Sequence, residues 1–239
     1  MIKEQPILMN SAMVRALLDG SKIQTRRIMK PQPEPVPHRP GDYQWPCNAF
    51  QSMVSVSDTR APGAHGMAGD ACPYGAHGDR LRVRETFFAY GRWETRSSAK
   101  KARDERHFVD MTVGCDRVYQ FAADDPDLPM AEGRGGALPG WYMRPAIFMP
   151  RAASRILLEI VSVRVEQLTD CSEADALAEG VAIDRSGCHF IDGANGRHMS
   201  PVGASAVEAF ASLWESINGT GSWALNPWVW VIEFKRGAP

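Results

Sequence analysis

The closing segment Trp228-Val-Trp-Val-Ile-Glu-Phe-Lys235 does most to constrain the fold. Strict alternation sets Trp228, Trp230, Ile232 and Phe234 on one face of a strand, and a row of side chains this large needs a core to receive it. The tryptophans alternate with aliphatic residues, so they read as core rather than as a platform for stacked bases. A second β-rich run, Ser154 to Leu168, sets Ile156, Leu158 and Ile160 against Leu157, Val161, Val163 and Val165. Its near-continuous apolar character predicts a strand buried on both faces.

Three short helices accompany these strands. The first follows Asn10 or Ser11 as N-cap, carries Met13, Val14, Leu17 and Leu18 at helical spacing, and stops at Gly20. The second runs from Ser172 to Glu179, opened by the capping-box pattern Ser172-Glu-Ala-Asp175 and stopped by Gly180. The third, about Ala204 to Ile217, aligns Val207, Phe210, Ala211, Trp214 and Ile217 and closes at Asn218-Gly219. Helices at the start and before the last strand predict an α+β domain on a small mixed sheet or barrel.

Between these elements the pattern weakens. Pro31, Pro33, Pro35, Pro37, Pro40 and Pro46 predict an extended connection or insertion over the surface, continuing with little periodicity to about residue 77. The Gly78-Asp79 turn opens a strand with Leu81, Val83 and Glu85 on one face and Arg80, Arg82 and Arg84 on the other. A carboxylate on that apolar face needs a partner. Residues 93–112 are highly charged and predict an exposed helix or a flexible insertion, Arg117 to Phe121 a short strand, 124–140 a loop, and Pro145 to Met149 an extended segment. The chain of 239 residues therefore reads as one domain over 1–239 with loop insertions at about 31–77 and 93–140.

The formal net charge of −1 creates no global field for nucleic acid, so any such contact has to come from a local patch. Five cysteines with no CxxC pair suit a reducing cytoplasm better than a disulfide framework. Cys47, His65, Cys72 and His77 share a Gly- and Pro-rich region, but their spacing matches no compact zinc motif, and no metal or other cofactor is expected. The apolar runs are too short to span a bilayer, and Met-Ile-Lys-Glu-Gln-Pro lacks the features of a secretory signal. The expectation is a cytoplasmic protein without membrane contact.

Lys22 and Thr25, inside Gly20-Ser-Lys-Ile-Gln-Thr-Arg-Arg27, stand where the first helix gives way to an extended segment. A hydroxyl beside an amine can form an activated nucleophile. On a strict strand, positions 22 and 25 face opposite ways, so Lys22 can serve Thr25 only from the turn. Glu179 ends a later helix, where the dipole disfavours a carboxylate and suits it to proton donation. Trp141 and Tyr142 offer rings for stacking on a base or for packing under the loop.

The arrangement resembles the ASCH-domain family of the PUA-like superfold. The resemblance rests on Gly20, Lys22, Thr25 and Arg27 in the family's Gly-x-Lys-x-x-Thr-x-Arg spacing, then Gly78-Asp-Arg-Leu81, the Leu168 to Gly180 helix and the closing strand. Met29-Lys-Pro-Gln-Pro33, Cys72-Pro-Tyr-Gly75, Met149 to Arg155 and Ser216 to Gly219 are similar to pieces of the longer phage and prophage members. The resemblance implies a PUA-like small β-barrel with short flanking helices. It also implies an activity similar to that of a bacterial amidohydrolase of the family, which removes the acyl group from N(4)-acetylcytidine.

Carried over residue by residue, the catalytic group is Thr25 as nucleophile, Lys22 as base and Glu179 as acid, without a metal. Arg27, Arg84, Glu85 and Arg155 are the substrate-binding candidates. The implied ligand is a modified nucleoside or base, with RNA as a further partner class. The competing expectations are a PUA-like module binding RNA or modified bases, and an ASCH ribonuclease.

Overall fold

A computed structural model of the protein describes residues 2–60, 67–98, 102–132, 138–183, 189–190 and 205–237. The chain divides into two compact units, one of residues 1–7, 12–83 and 155–239 and one of residues 8–11 and 84–154.

The first unit is built on a five-stranded sheet in the order β1-β6-β11-β14-β2. Its strands are β1 (Glu4–Leu8), β2 (Gln24–Ile28), β6 (Arg80–Arg84), β11 (Leu157–Gln167) and β14 (Trp228–Arg236). β11 and β14 pair antiparallel from Leu158↔Arg236 to Gln167↔Trp228, with a bulge between Ile160 and Ser162. β2 lies antiparallel to β14 with Thr25 opposite Ile232 and Arg27 opposite Trp230. Among the described residues no ladder joins β1 to β2, so the sheet is open and the expected barrel does not close. The start of β2 instead meets the turn after a helix, where Ile23 N donates to Ala178 O and Lys22 bridges Glu179.

Both faces of β14 are buried, one more than its large side chains alone announce. Val229 and Val231 pack under α4 (Glu173–Ala178) and α5 (Ala206–Asn218), in a core with Leu168, Ala176, Phe210 and Trp214. Glu173 ties these helices together, its carboxylate accepting from Ala206 N at 2.8 Å at the open end of α5. α1 (Ser11–Asp19) adds Met13 to the same cluster. All three helices stand where the sequence places them, and Ser172 and Asp175 form the expected capping box.

The opposite face is covered by the stretch that the prolines mark as an extended connection. It folds into a meander of β3 (Glu34–Pro35), β4 (Tyr43–Cys47) and β5 (Ser52–Ser55), followed by α2 (Val56–Arg60) and α3 (Met67–Ala71). Trp45 meets Trp230 edge-on at 5.7 Å and Tyr43 meets Trp228 at 5.0 Å. The prolines permit this because Pro35 lies on an edge strand and Pro46 lies beyond the reach of β3. Gln32 anchors the connection by donating to Trp228 O and accepting from Trp228 N, so its side chain supplies the bonds of one ladder residue.

The second unit is a sheet of β7 (Phe87–Ser98), β8 (Arg103–Asp110), β9 (Gln120–Phe121) and β10 (Gly140–Arg144), ordered β10-β7-β8 with β9 beside β7. Residues 93–112, expected as a helix or a flexible insertion, are for the most part a β-hairpin that pairs Gly91↔Asp110 through Ser98↔Arg103. Charges on both strands, such as Glu94 held by Arg92 and Arg96, hide its period of two. Ala146–Phe148 is a 3-10 turn rather than the extended segment expected, because Pro145 fixes its own φ at −58° and accepts from Phe148 N. Phe87, Ala89, Met149 and Ala153 form the core of this unit. β12 (Ala182–Ile183) and β13 (His189–Phe190) make a small ladder beyond α4. Among the described residues no helix is long and apolar enough to cross a membrane.

Candidate active site

Gly20, at φ +84°, ends α1, and Lys22 N then donates to Ala16 O. That turn puts Lys22 outside β2, as the parity of the sequence requires, and buries it to 2 % exposure. Its ammonium donates to Glu179 Oε2 at 2.7 Å and to Glu179 O at 2.9 Å. Glu179 is the C-cap of α4, and Gly180 follows at φ +98°. A Cβ on Gly180 would stand 3.0 Å from Ala16 Cβ and 3.3 Å from Lys22 Cβ. Gly180 thus meets two demands at once, a left-handed backbone and close approach of α4 to α1. Gly180→Ala is expected to cost about 1–3 kcal/mol of stability and to loosen the Lys22–Glu179 contact; chemical denaturation with an unchanged m-value checks the first effect.

The second cation on Glu179 is Arg26, whose Nη1 lies 3.4 Å from Oε1. Arg26 Nη2 also reaches Glu166 at 3.1 Å and Asp175 at 3.4 Å. Arg164 extends the network, bonding Glu166 at 2.6 Å, Asp175 at 2.7 Å and Glu233. Charges buried as deeply as Lys22, Arg26 and Glu179 persist only when paired, and here cations and carboxylates alternate from Lys22 outward to the partly exposed Arg164 and Glu233. Burial pushes the Lys22 amine below its ordinary 10.5; Glu179 pulls it back, and Arg27 and Arg26 lower it further.

The carboxyl of Asp175 is held down to about 2: burial works against this, but the Ser172 hydrogen bonds, Arg26 and Gln24 prevail. Its folded pKa lies below the ordinary 3.8, so its contribution is full above that value and is lost as the pH falls through about 2. Acid titration of Asp175→Asn should accordingly show a flatter loss of stability between about pH 4 and 2 than the natural chain.

A cavity of about 350 Å³ opens beside this network in the first unit. Thr25, Arg26, Arg27 and Glu179 form its polar wall, while Tyr74, Phe210, Trp214 and Trp230 supply rings. The volume is of the size that takes a nucleoside-scale ligand. Thr25 and Arg27 share a face of β2, set by their register against Ile232 and Trp230. Among the described residues nothing holds the Thr25 hydroxyl, although the residue is 1 % exposed. Burial lowers the pKa of the Arg27 guanidinium, against which Tyr74 and Glu179 act. Burial raises the Tyr74 phenol, with Arg27 opposing.

Of the residues singled out in the sequence, Thr25, Arg27 and Glu179 line this one cavity, and Lys22 reaches it through the Glu179 carboxylate. Arg155 is half-buried in the same unit and does not line it. Arg84 and Glu85 belong to the second unit, where Arg84 holds the 3-10 turn by donating to Met149 O at 3.1 Å and to Ile147 O. Glu85 is fully buried there, its backbone N–H directed at Met149 Sδ. The network residues that spacing does not reveal are Glu166 and Arg164, two apart in a strand that also carries Glu159 and Ser162, while Asp175 is legible only as the capping-box residue of α4. Cys47, Cys72, Cys115 and Cys171 are free thiols, and burial raises Cys72 and Cys171 to about 12; His65 lies outside the described residues.

No family model matches the chain, and no curated protein or solved structure matches it.

Proposed function

We propose that the protein is a PUA-like amidohydrolase of ASCH type that removes the acyl group from N(4)-acylated cytosine nucleosides in the cytoplasm. The observation that carries this reading is the buried Lys22–Glu179 pair, bonded at 2.7 Å, behind a cavity that also presents the Thr25 hydroxyl. A surface pair of this kind contributes little to stability, and a buried one is no better than apolar packing. Its retention beside a cavity fits proton transfer.

In the proposed reaction Lys22 passes one proton to Glu179, and the neutral amine takes the Thr25 proton as Oγ1 attacks the acyl carbon. Arg27, on the same wall, stabilises the oxyanion. Glu179 then protonates the departing N4 as the C–N bond breaks, leaving an acyl-threonine ester and the starting ion pair. Water repeats the sequence on the ester, its proton going to Lys22 and the Glu179 proton to the threonine oxygen. Each proton has a side chain to carry it, so the scheme draws on no cofactor.

The test is incubation of the purified protein with N(4)-acetylcytidine and longer N(4)-acyl analogues, with cytidine followed by mass. Release of cytidine at a rate proportional to enzyme supports the proposal. Absence of release from every analogue removes it and favours a non-catalytic binder of RNA or modified bases.

A further inference from the structure

The second unit has its own cavity, of about 440 Å³, and nothing in the amidase reading uses it. Register builds it: Trp93 stands opposite Phe108 across β7 and β8, and Tyr142 opposite Ala89 across β10 and β7, all on one face of the sheet. The rings meet edge to face, with centroids 5.5 Å apart for Trp93–Phe108 and 5.6 Å for Phe108–Tyr142. Gly91 is required for this packing, since a Cβ there would stand 2.7 Å from Phe108 Cζ and 2.1 Å from Val109 O. The Arg144 guanidinium stacks on three of the rings, 4.9 Å from Trp93, 4.4 Å from Phe108 and 4.9 Å from Phe148.

Two features show that this is more than packing. The Tyr142 hydroxyl is buried and has no partner among the described residues, which for a phenol on a cavity wall leaves a bond for a ligand to complete. The lining also carries Arg106, His107 and Arg144 and no aspartate or glutamate, although acidic side chains are frequent elsewhere in the hairpin. A planar cation set among aromatic rings, with further basic groups at the rim, is the combination that stacks a base and neutralises the phosphates beside it.

We propose that this arginine–aromatic cage is a binding site for single-stranded nucleic acid. One unstacked base lies against Phe148 and the Arg144 plane, the Tyr142 hydroxyl bonds its edge, and Arg106 meets an adjacent phosphate. The site is independent of the amidase reading, because its test reads binding and not turnover.

The experiment titrates the full chain into fluorescein-labelled single strands of about 12 nucleotides, RNA and DNA in separate arms, at about 50 mM salt, and reads anisotropy. Saturable binding of either strand is expected, about tenfold weaker in Phe148→Ala and weaker again in Phe148→Ala/Tyr142→Phe. Phe148 is 56 % exposed, so its truncation should leave the fold intact, which the thermal melt confirms. Arg106→Gln should weaken binding and reduce the slope of log affinity against log salt by about 0.7. The proposal is overturned if neither strand binds, if a duplex of the same length binds as well as the single strand, if Phe148→Ala and Arg106→Gln change nothing, or if a proline-rich peptide displaces the strand at equal concentration.

Discussion

Lys22→Ala and Thr25→Ala are each expected to lower the rate of cytidine release from N(4)-acetylcytidine by about 10³-fold or more, and the double variant by little more than the worse single. Loss of a nucleophile or its base removes a step that the remaining groups cannot perform, and such residues act as a unit rather than additively. Thr25→Ser should retain part of the activity, because it keeps the hydroxyl and gives up only a methyl group. Lys22→Arg should not, since a guanidinium cannot yield its proton to Glu179. In the natural chain kcat should fall towards alkaline pH as the Lys22–Glu179 pair loses the one proton that the scheme delivers to N4, at a pH below the ordinary lysine range because burial lowers the amine. Stopped assays over a pH series measure both effects. Activity that persists in Lys22→Ala would remove the assigned base.

The second large effect is on stability and runs against intuition for a paired lysine. Lys22→Met alone leaves the Glu179 carboxylate, 2 % exposed at its side chain, with only the longer Arg26 contact. The expected cost is about 3–5 kcal/mol, the usual penalty for orphaning one member of a buried pair. Lys22→Met/Glu179→Leu should recover most of that loss or exceed the natural stability, because the desolvation of both charges disappears while Arg26 keeps Glu166 and Asp175.

The pH dependence provides a second reading. The folded amine lies below its ordinary 10.5, so Lys22 makes its full contribution above that value and loses it as the pH falls through the lowered one. Natural protein should thus gain stability with rising pH across that window, and the double variant should lose this alkaline gain. Urea melts of the four proteins of the cycle, repeated at two pH values, measure both. A double variant as unstable as Lys22→Met would show that the pair is held for the fold rather than for chemistry.

How far the sequence announces this molecule depends on how local each signal is. α1, α4, α5 and the strands β6, β11 and β14 are legible because caps, glycine stops and apolar periods act over a few residues. The meander over 34–55 and the hairpin over 87–110 are not. In one, prolines hide strands by standing at edges; in the other, charges on both faces of an exposed ribbon erase the alternation. Closure of the sheet fails for a related reason: no periodicity tells whether an edge strand finds another strand or, like β2, the turn after a helix.

At the candidate site, Lys22 and Thr25 stand out as a pair only because strand parity and a family spacing agree, and Glu179 enters through its place at a helix end. Arg26 reaches Glu166 across 140 positions and Glu179 across 153, and no spacing rule spans such distances. Arg84 illustrates the converse. It stands among the substrate-binding candidates, whereas its guanidinium holds the backbone of a turn.

The central claim is that the Thr25 hydroxyl, served by Lys22 and Glu179, attacks an acyl carbon. Acid quench of the enzyme during turnover of N(4)-acetylcytidine, followed by intact mass and peptide mapping, tests it most directly. One acetyl group is expected on the peptide that contains Thr25, absent from Thr25→Ala and lost once the substrate is exhausted. Release of cytidine in full with no acetyl-threonine at any quench time, and with oxygen label from isotopically enriched water entering acetate in Thr25→Ala as fast as in the natural chain, would contradict it.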